Sequence, residues 1–250
     1  AFYGHTIHHH GIEPTAFNDG VPDTSFIVVP EYTYQWRPTR PGTYFYHCHV
    51  IATVHVELGM YGFLIVDPEK GSDWVQVGNT QEPYNVEALW AFDDIDPRFH
   101  EMPHDAGRDC PFMIRADVAM HYFNPKYFLI TGVPAPLTET DPRVVVFAKT
   151  GDSVVLRTLG ASYAIAKLTL PMDAKIIGID GRAQGQAPFA KYSSPITLPK
   201  GTPIELTTAQ RYEFLVKPKA TGSFPVEVEY LHWITRKPLG KANTFIHVTA

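Results

Sequence analysis

The sequence predicts an all-β protein of two Greek-key β-sandwich domains, the first of them incomplete at its N-terminus. Three observations carry that prediction. The 250 residues include 22 Pro and 18 Gly, so turns punctuate the whole chain. Apolar residues come in short runs that alternate with polar ones, the period of half-buried strands rather than of helices. The chain is also long enough to build two separate cores.

Taken in order, Glu13 to Thr24 is turn-rich, with Asn18-Asp19-Gly20 and Val21-Pro22-Asp23 as breakers. Phe26 to Val29 and Tyr32 to Trp36 read as strands, and Arg37 to Gly42 as a tight loop feeding a further strand, Thr43 to Tyr46. Tyr61 to Val66 closes a first domain, residues 1–68, and Asp67 to Ser72 is the linker. In a second domain, residues 73–250, strands are predicted at Val86–Trp90, Tyr127–Ile130, Val154–Arg157, Tyr163–Leu170, Ile176–Gly181, Tyr212–Val216 and Val226–Tyr230. The last alternates apolar residues with Glu, as in a sheet with one wet face.

Asp93 to Pro125 reads as an irregular insertion, broken by Pro97, Pro103, Gly107 and Pro111. Its His100, His104, Cys110 and His121 match no zinc spacing, so a solvent-facing loop is expected. Two cysteines make no disulfide framework. A net charge of -5 without any basic run argues against nucleic acid as a partner. No apolar stretch approaches the ~20 residues of a membrane-spanning helix.

The chemistry concentrates around Tyr44 to Met60. Cys48 lies between His47 and His49, His55 follows seven residues later, and Met60 five after that. One thiolate, two imidazoles and a weak thioether make the ligand set of a blue copper site. On a strand, successive side chains alternate faces, so Cys48 points one way and His47 and His49 the other. The N-terminal His5-x-x-His8-x-His10 supplies the matching half. There, His8 and His10 share a face and His5 has the opposite parity. His5 is therefore expected to join Cys48, His55 and Met60, while His8 and His10 join His47 and His49. His9 has the wrong parity for the second set and is read as a bystander. Seven of the 12 histidines fall between residues 5 and 55, too many for isolated structural roles.

At these residues the chain resembles the multicopper oxidases. The matching pieces are His5-x-x-His8-x-His10-Gly11, Asp19-Gly20-Val21-Pro22, Arg40-Pro41-Gly42-Thr43-Tyr44 and His47-Cys48-His49 with His55 and Met60. The resemblance covers about the first 68 residues and implies cupredoxin-like domains, of the laccase-like arrangement with type 1 copper in the first of them. It implies His5, Cys48, His55 and Met60 as type 1 ligands, His8 on type 2 copper, and His10, His47 and His49 on the binuclear type 3 pair. It also implies a proton-handling role for the Asp19 carboxylate beside type 2 copper, the equal alternative being that Asp19 only shapes the turn. The Cys48 to His55 gap is longer than the family's commonest spacing, a departure that bears on the loop's shape.

The activity implied is one-electron oxidation of an unidentified reductant, entering at an exposed edge of His55, coupled to reduction of dioxygen to water. His8, His10, His47 and His49 are half the histidines that such a cluster takes, so a further cupredoxin domain or a homo-oligomeric neighbour is expected to bring the rest. His5 comes almost at once, where strands normally precede the first ligand, so the sequence reads as a fragment. The second domain has Tyr163 to Leu168 where a copper-binding domain would carry its own His pair, and is expected to be copper-free. Such oxidases are usually periplasmic or secreted. A copper nitrite reductase using His8, His47 and a neighbour's His232 is the alternative, with a plain electron-transfer cupredoxin third.

Overall fold

The computed structural model describes residues 4–101, 122–187 and 194–250. It is all-β with cupredoxin-like sandwich architecture, in two compact units. One consists of Ala1–Thr39, Tyr44–Leu64 and Ile95–Lys126, the other of Arg40–Thr43, Ile65–Asp94 and Tyr127–Ala250.

The first unit is organised on a three-stranded sheet, in which β1 (His8–His10) and β3 (Tyr61–Val66) flank β2 (Gly42–His47). Among the described residues three short helices accompany it: α1 (Ala16–Asp19), α2 (Ala52–Glu57) and α3 (Pro97–His100). The predicted strands at Phe26–Val29 and Tyr32–Trp36 are not formed. Val28 makes a single bridge with His5, and Pro30, lacking an N–H, ends that pairing. Residues 32–36 instead lie along the histidine strand. The Tyr34 hydroxyl accepts the Ile7 N–H at 3.1 Å, and Trp36 packs edge-on against His9 with centroids 4.9 Å apart. The alternation was real, but it spends its polar groups on loop contacts rather than on a ladder.

The second unit is a sandwich of two mixed sheets. Its strands begin with β4 (Trp74–Val77), β5 (Thr80–Pro83), β6 (Val86–Ile95), β7 (Tyr127–Ile130) and β8 (Val133–Pro134). Next come β9 (Val146–Lys149), β10 (Val154–Gly160), β11 (Ile165–Thr169), β12 (Ala174–Ile179) and β13 (Arg182–Ala183). They finish with β14 (Ile196–Leu198), β15 (Pro203–Leu206), β16 (Arg211–Val216), β17 (Gly222–Leu231), β18 (Pro238–Lys241) and β19 (Thr244–Thr249). One sheet runs β13-β12-β16-β10-β6-β7-β8 with β14 on β12, and the other β15-β11-β17-β19-β9 with β18 on β17. Parallel pairs occur at β6/β10 and β9/β19.

Trp90, Leu156 and Phe214 from the first sheet meet Ala166, Val228 and Ile246 from the second in one continuous buried core. Alternation along β17 is as the sequence predicts, with Val226, Val228 and Tyr230 buried and Glu227 exposed. The predicted insertion starts later than expected. Asp93 to Ile95 belong to β6, and Pro97–His100 is helical because Asp96 caps it, accepting the Arg98 N–H at 3.1 Å with Pro97 at the first position. His104, Cys110 and His121 lie outside the described residues.

Candidate metal centre

The centre is built on one antiparallel pair. β1 and β2 register His8 against His47, His9 against Tyr46 and His10 against Phe45. That register places His8, His10 and His47 on one face, and their ligand atoms all lie within 4.8 Å of one another. Two of the three rings are held by their far nitrogens. His8 donates from Nδ1 to the Asp19 carbonyl at 2.7 Å, and His47 donates from Nδ1 to the Cys48 carbonyl at 2.8 Å. A proton held at Nδ1 leaves Nε2 with its lone pair free, the arrangement by which metal-binding histidines are oriented. The His10 and His47 Nε2 atoms converge to 3.0 Å.

The opposite side of the strand end holds Cys48, whose Sγ is 3.1 Å from His55 Nδ1 and 3.6 Å from His5 Nδ1. His55 comes from α2, an element the sequence did not announce. Thr53, Val54 and Val56 are β-branched and disfavour helix. The chain turns into it through Ile51 in the left-handed region, at φ 48°, and Gly59 at φ 85° turns it out again. The loop is then closed by main-chain hydrogen bonds, Met60 N–H to the His55 carbonyl and Cys48 N–H to the Met60 carbonyl, both 2.9 Å. The longer Cys48 to His55 spacing is thus taken up by a helical turn.

Other candidates sit around these two groups. The His49 ring stacks on His47 with centroids 5.7 Å apart and meets His8 at 5.1 Å. The Asp19 carboxylate is 3.4 Å from His8 Nδ1. Met60 is half-buried and adjoins Cys48 and His55 through its backbone. His9 points away, buried between Tyr34 and Trp36, and its Nδ1 has no hydrogen-bond partner among the described residues. His55 has no exposed edge: it is 0% accessible, and the exposed ring of the pair is His5. That corrects the expected electron entry, because the His55 ring, carried on α2, is fully buried.

Two contributors carry no signature in the sequence. Buried Thr6 accepts the His49 N–H on its hydroxyl at 3.1 Å, fixing the backbone after Cys48. Glu57, buried on α2, accepts the Asp96 N–H at 2.7 Å and so anchors that helix.

On the histidine face, His47 is held toward its neutral form. Burial pushes the His47 pKa down, against the hydrogen bond to Cys48, and nearby His8 and His49 lower it further. His9 is lowered too, first by burial and then by His8. Neutral imidazoles with convergent lone pairs fit a metal ion, and a buried thiol beside two imidazoles fits a soft one such as copper. Among the described residues these are the groups of three or more donors placed to share an ion: His5, Cys48 and His55, and His8, His10 and His47.

Comparison with known proteins bears on the same segment. Residues 2–71 match the multicopper oxidase family. A copper resistance protein A homolog from Pseudomonas syringae pv. tomato is 35% identical over 95 residues, 37% of this chain and 15% of that protein. Laccase abr2 from Aspergillus fumigatus is 36% identical over 89 residues, 34% of this chain and 15% of that protein. The matched stretch is thus a small part of those relatives. The blue copper oxidase from Nitrosomonas europaea shares the fold, with a TM-score of 0.71 at 23% identity, over 99% of this chain and 70% of that one. Residues 2–71 are thus similar in sequence to the multicopper oxidases, and the chain as a whole shares their fold.

Proposed function

We propose that this chain carries the copper centres of a laccase-like oxidase that couples oxidation of a reductant to reduction of dioxygen to water. The observation that supports this best is the division of donors about one strand end, with Cys48, His5 and His55 on one side and His8, His10 and His47 on the other. On this reading His5, Cys48 and His55, with Met60 as the weak axial ligand, hold type 1 copper. His8 serves type 2 copper, and His10, His47 and His49 the type 3 pair. Copper held there supplies one-electron transfer and the multi-electron reduction of dioxygen.

The chain's own residues orient and insulate these sites. The Asp19 and Cys48 carbonyls hold His8 and His47 by Nδ1, and burial of Cys48 and His55 keeps water from the thiolate. On this reading the Asp19 carboxylate, 3.4 Å from His8 Nδ1, hands protons to reduced oxygen. Four histidines fall short of the cluster, so a further cupredoxin domain or a neighbouring copy supplies the remainder. Residues 1–68 form the copper-binding domain and residues 73–250 a copper-free one, and the protein works in the periplasm or outside the cell. No helix among the described residues is long and apolar enough to cross a membrane.

The test is copper loading of the purified chain, followed by copper analysis and oxygen uptake with a phenolic reductant. The reading expects a type 1 spectrum and negligible oxygen uptake by the monomer. Sustained reduction of dioxygen to water by the monomeric chain would refute the shared cluster.

A further inference from the structure

The second unit contains a cavity of about 440 Å³ at one end of its sandwich, well separated in sequence from every histidine of the metal centre. Its floor is apolar. Met172 and Phe224 pack on the main core and Leu215 belongs to a smaller buried cluster, and all three line the cavity. Four lysines, Lys175, Lys200, Lys217 and Lys219, also line it, with Asp173 as the acidic lining residue.

The register explains how they gather. Lys175 on β12 is paired with Thr197 of β14 on one side and Leu215 of β16 on the other, so the three share a face. Lys217 and Lys219 lie just past the end of β16, and Lys200 just past β14. Asp173 is partly spent locally, since Oδ1 accepts the Lys200 backbone N–H at 2.8 Å. None of the four ammonium groups forms an ion pair or hydrogen bond among the described residues, whereas Lys167 is paired with Glu229.

This is an unusual concentration for a chain with 21 Lys and Arg against 26 Asp and Glu. Four unpaired cations repel one another around a low-dielectric wall, which raises the local potential for an anion. The volume falls in the range of small-molecule sites, about 300–1,000 Å³, with apolar walls and a few charged groups to fix orientation.

We propose that this cavity binds an amphipathic organic anion, with its flat apolar body against Met172, Leu215 and Phe224 and its carboxylate or sulfonate head among the four lysines. The lysine stems add apolar cover while their ammonium groups reach the head. The proposal does not depend on the copper reading, because no residue is shared.

The probe is anilinonaphthalene sulfonate, titrated into the full chain and followed by fluorescence, with uncharged phenylnaphthylamine as its control. We expect one saturable site for the sulfonate, weakened by salt as exposed charges are screened. The Lys175→Glu/Lys200→Glu variant should weaken it about tenfold, the effect of two partly exposed charges. Ala220→Trp, at an exposed lining position, should block the cavity and abolish the site without lowering the melting temperature. Cys48→Ser should leave binding unchanged. Equal binding of the charged and uncharged dyes, or binding unaffected by both cavity variants, would overturn the proposal. So would the absence of any saturable sulfonate site.

Discussion

The Nε2 atoms of His10 and His47 stand 3.0 Å apart on neighbouring strands. His47 keeps its proton on Nδ1, against the Cys48 carbonyl, so its Nε2 presents a lone pair to His10. Two such nitrogens stay close only by sharing a proton or a cation. His47→Ala should therefore lower the copper bound per chain while the Cys48-dependent visible band survives. Metal analysis beside an absorption spectrum checks this, and unchanged copper content would count against a shared ion.

On the other side of the strand, the thiol and the axial thioether should separate cleanly. Cys48→Ser should abolish the intense visible charge-transfer band expected for a copper thiolate. Met60→Leu should keep the band and raise the reduction potential, because a weak axial donor is lost and the three strong ones remain. Potentiometric titration of both proteins decides it, and loss of copper from Met60→Leu would make Met60 a structural ligand.

Within the second unit, Arg157 is 1% exposed and Glu213 3%, and they are ion-paired, with the Thr43 hydroxyl donating to Glu213 Oε1 at 2.7 Å. Arg157 also pairs with the less buried Glu87, Nε to Oε1 2.6 Å, so removing Glu213 leaves the guanidinium with one carboxylate of two. Glu213→Leu should cost up to about 3 kcal/mol, the low end of the loss for a broken buried pair, and the double change with Arg157→Met less. Thermal unfolding of the two variants makes the comparison. Equal losses would mean that the pair is solvated on opening and not held dry.

Asp94 gives a pH prediction. Burial, and then the neighbouring Asp93, push its carboxyl up to about 7, although the Tyr163 and Ala164 N–H groups bond to it at 2.9 and 3.0 Å. A raised acid binds its proton more tightly folded than unfolded. Its stabilising effect is complete below the unfolded value near 3.8 and is lost as pH rises to about 7, with a slope of at most about 1.4 kcal/mol per pH unit. Asp94→Asn should lower stability at pH 4, since one amide loses its acceptor, yet flatten that slope. Chemical denaturation at several pH values measures it, and an unchanged slope would assign the dependence elsewhere.

Strand parity was readable from the residues alone. Alternation about Cys48 separates His47 and His49 from the thiol, and the i, i+2 spacing pairs His8 with His10, because a strand's side-chain period is two and needs no further information. Several strands of the second unit were equally legible, as at Tyr212–Val216 and Val226–Tyr230, whereas β9, β15 and β19 were not read from the sequence and β10 is buried along both faces. What only the tertiary structure decided is where the backbone leaves that period. Ile51 and Gly59 bend the copper loop into a helix that carries the buried His55, and Phe26 to Trp36 find hydrogen bonds in loop contacts instead of a sheet. Thr6 on the His49 amide, and the four lysines around one apolar cavity, come together across sequence separations that no local pattern encodes. Their placement follows from packing and register, which balance contributions from the whole chain, whereas alternation is a property of each strand by itself.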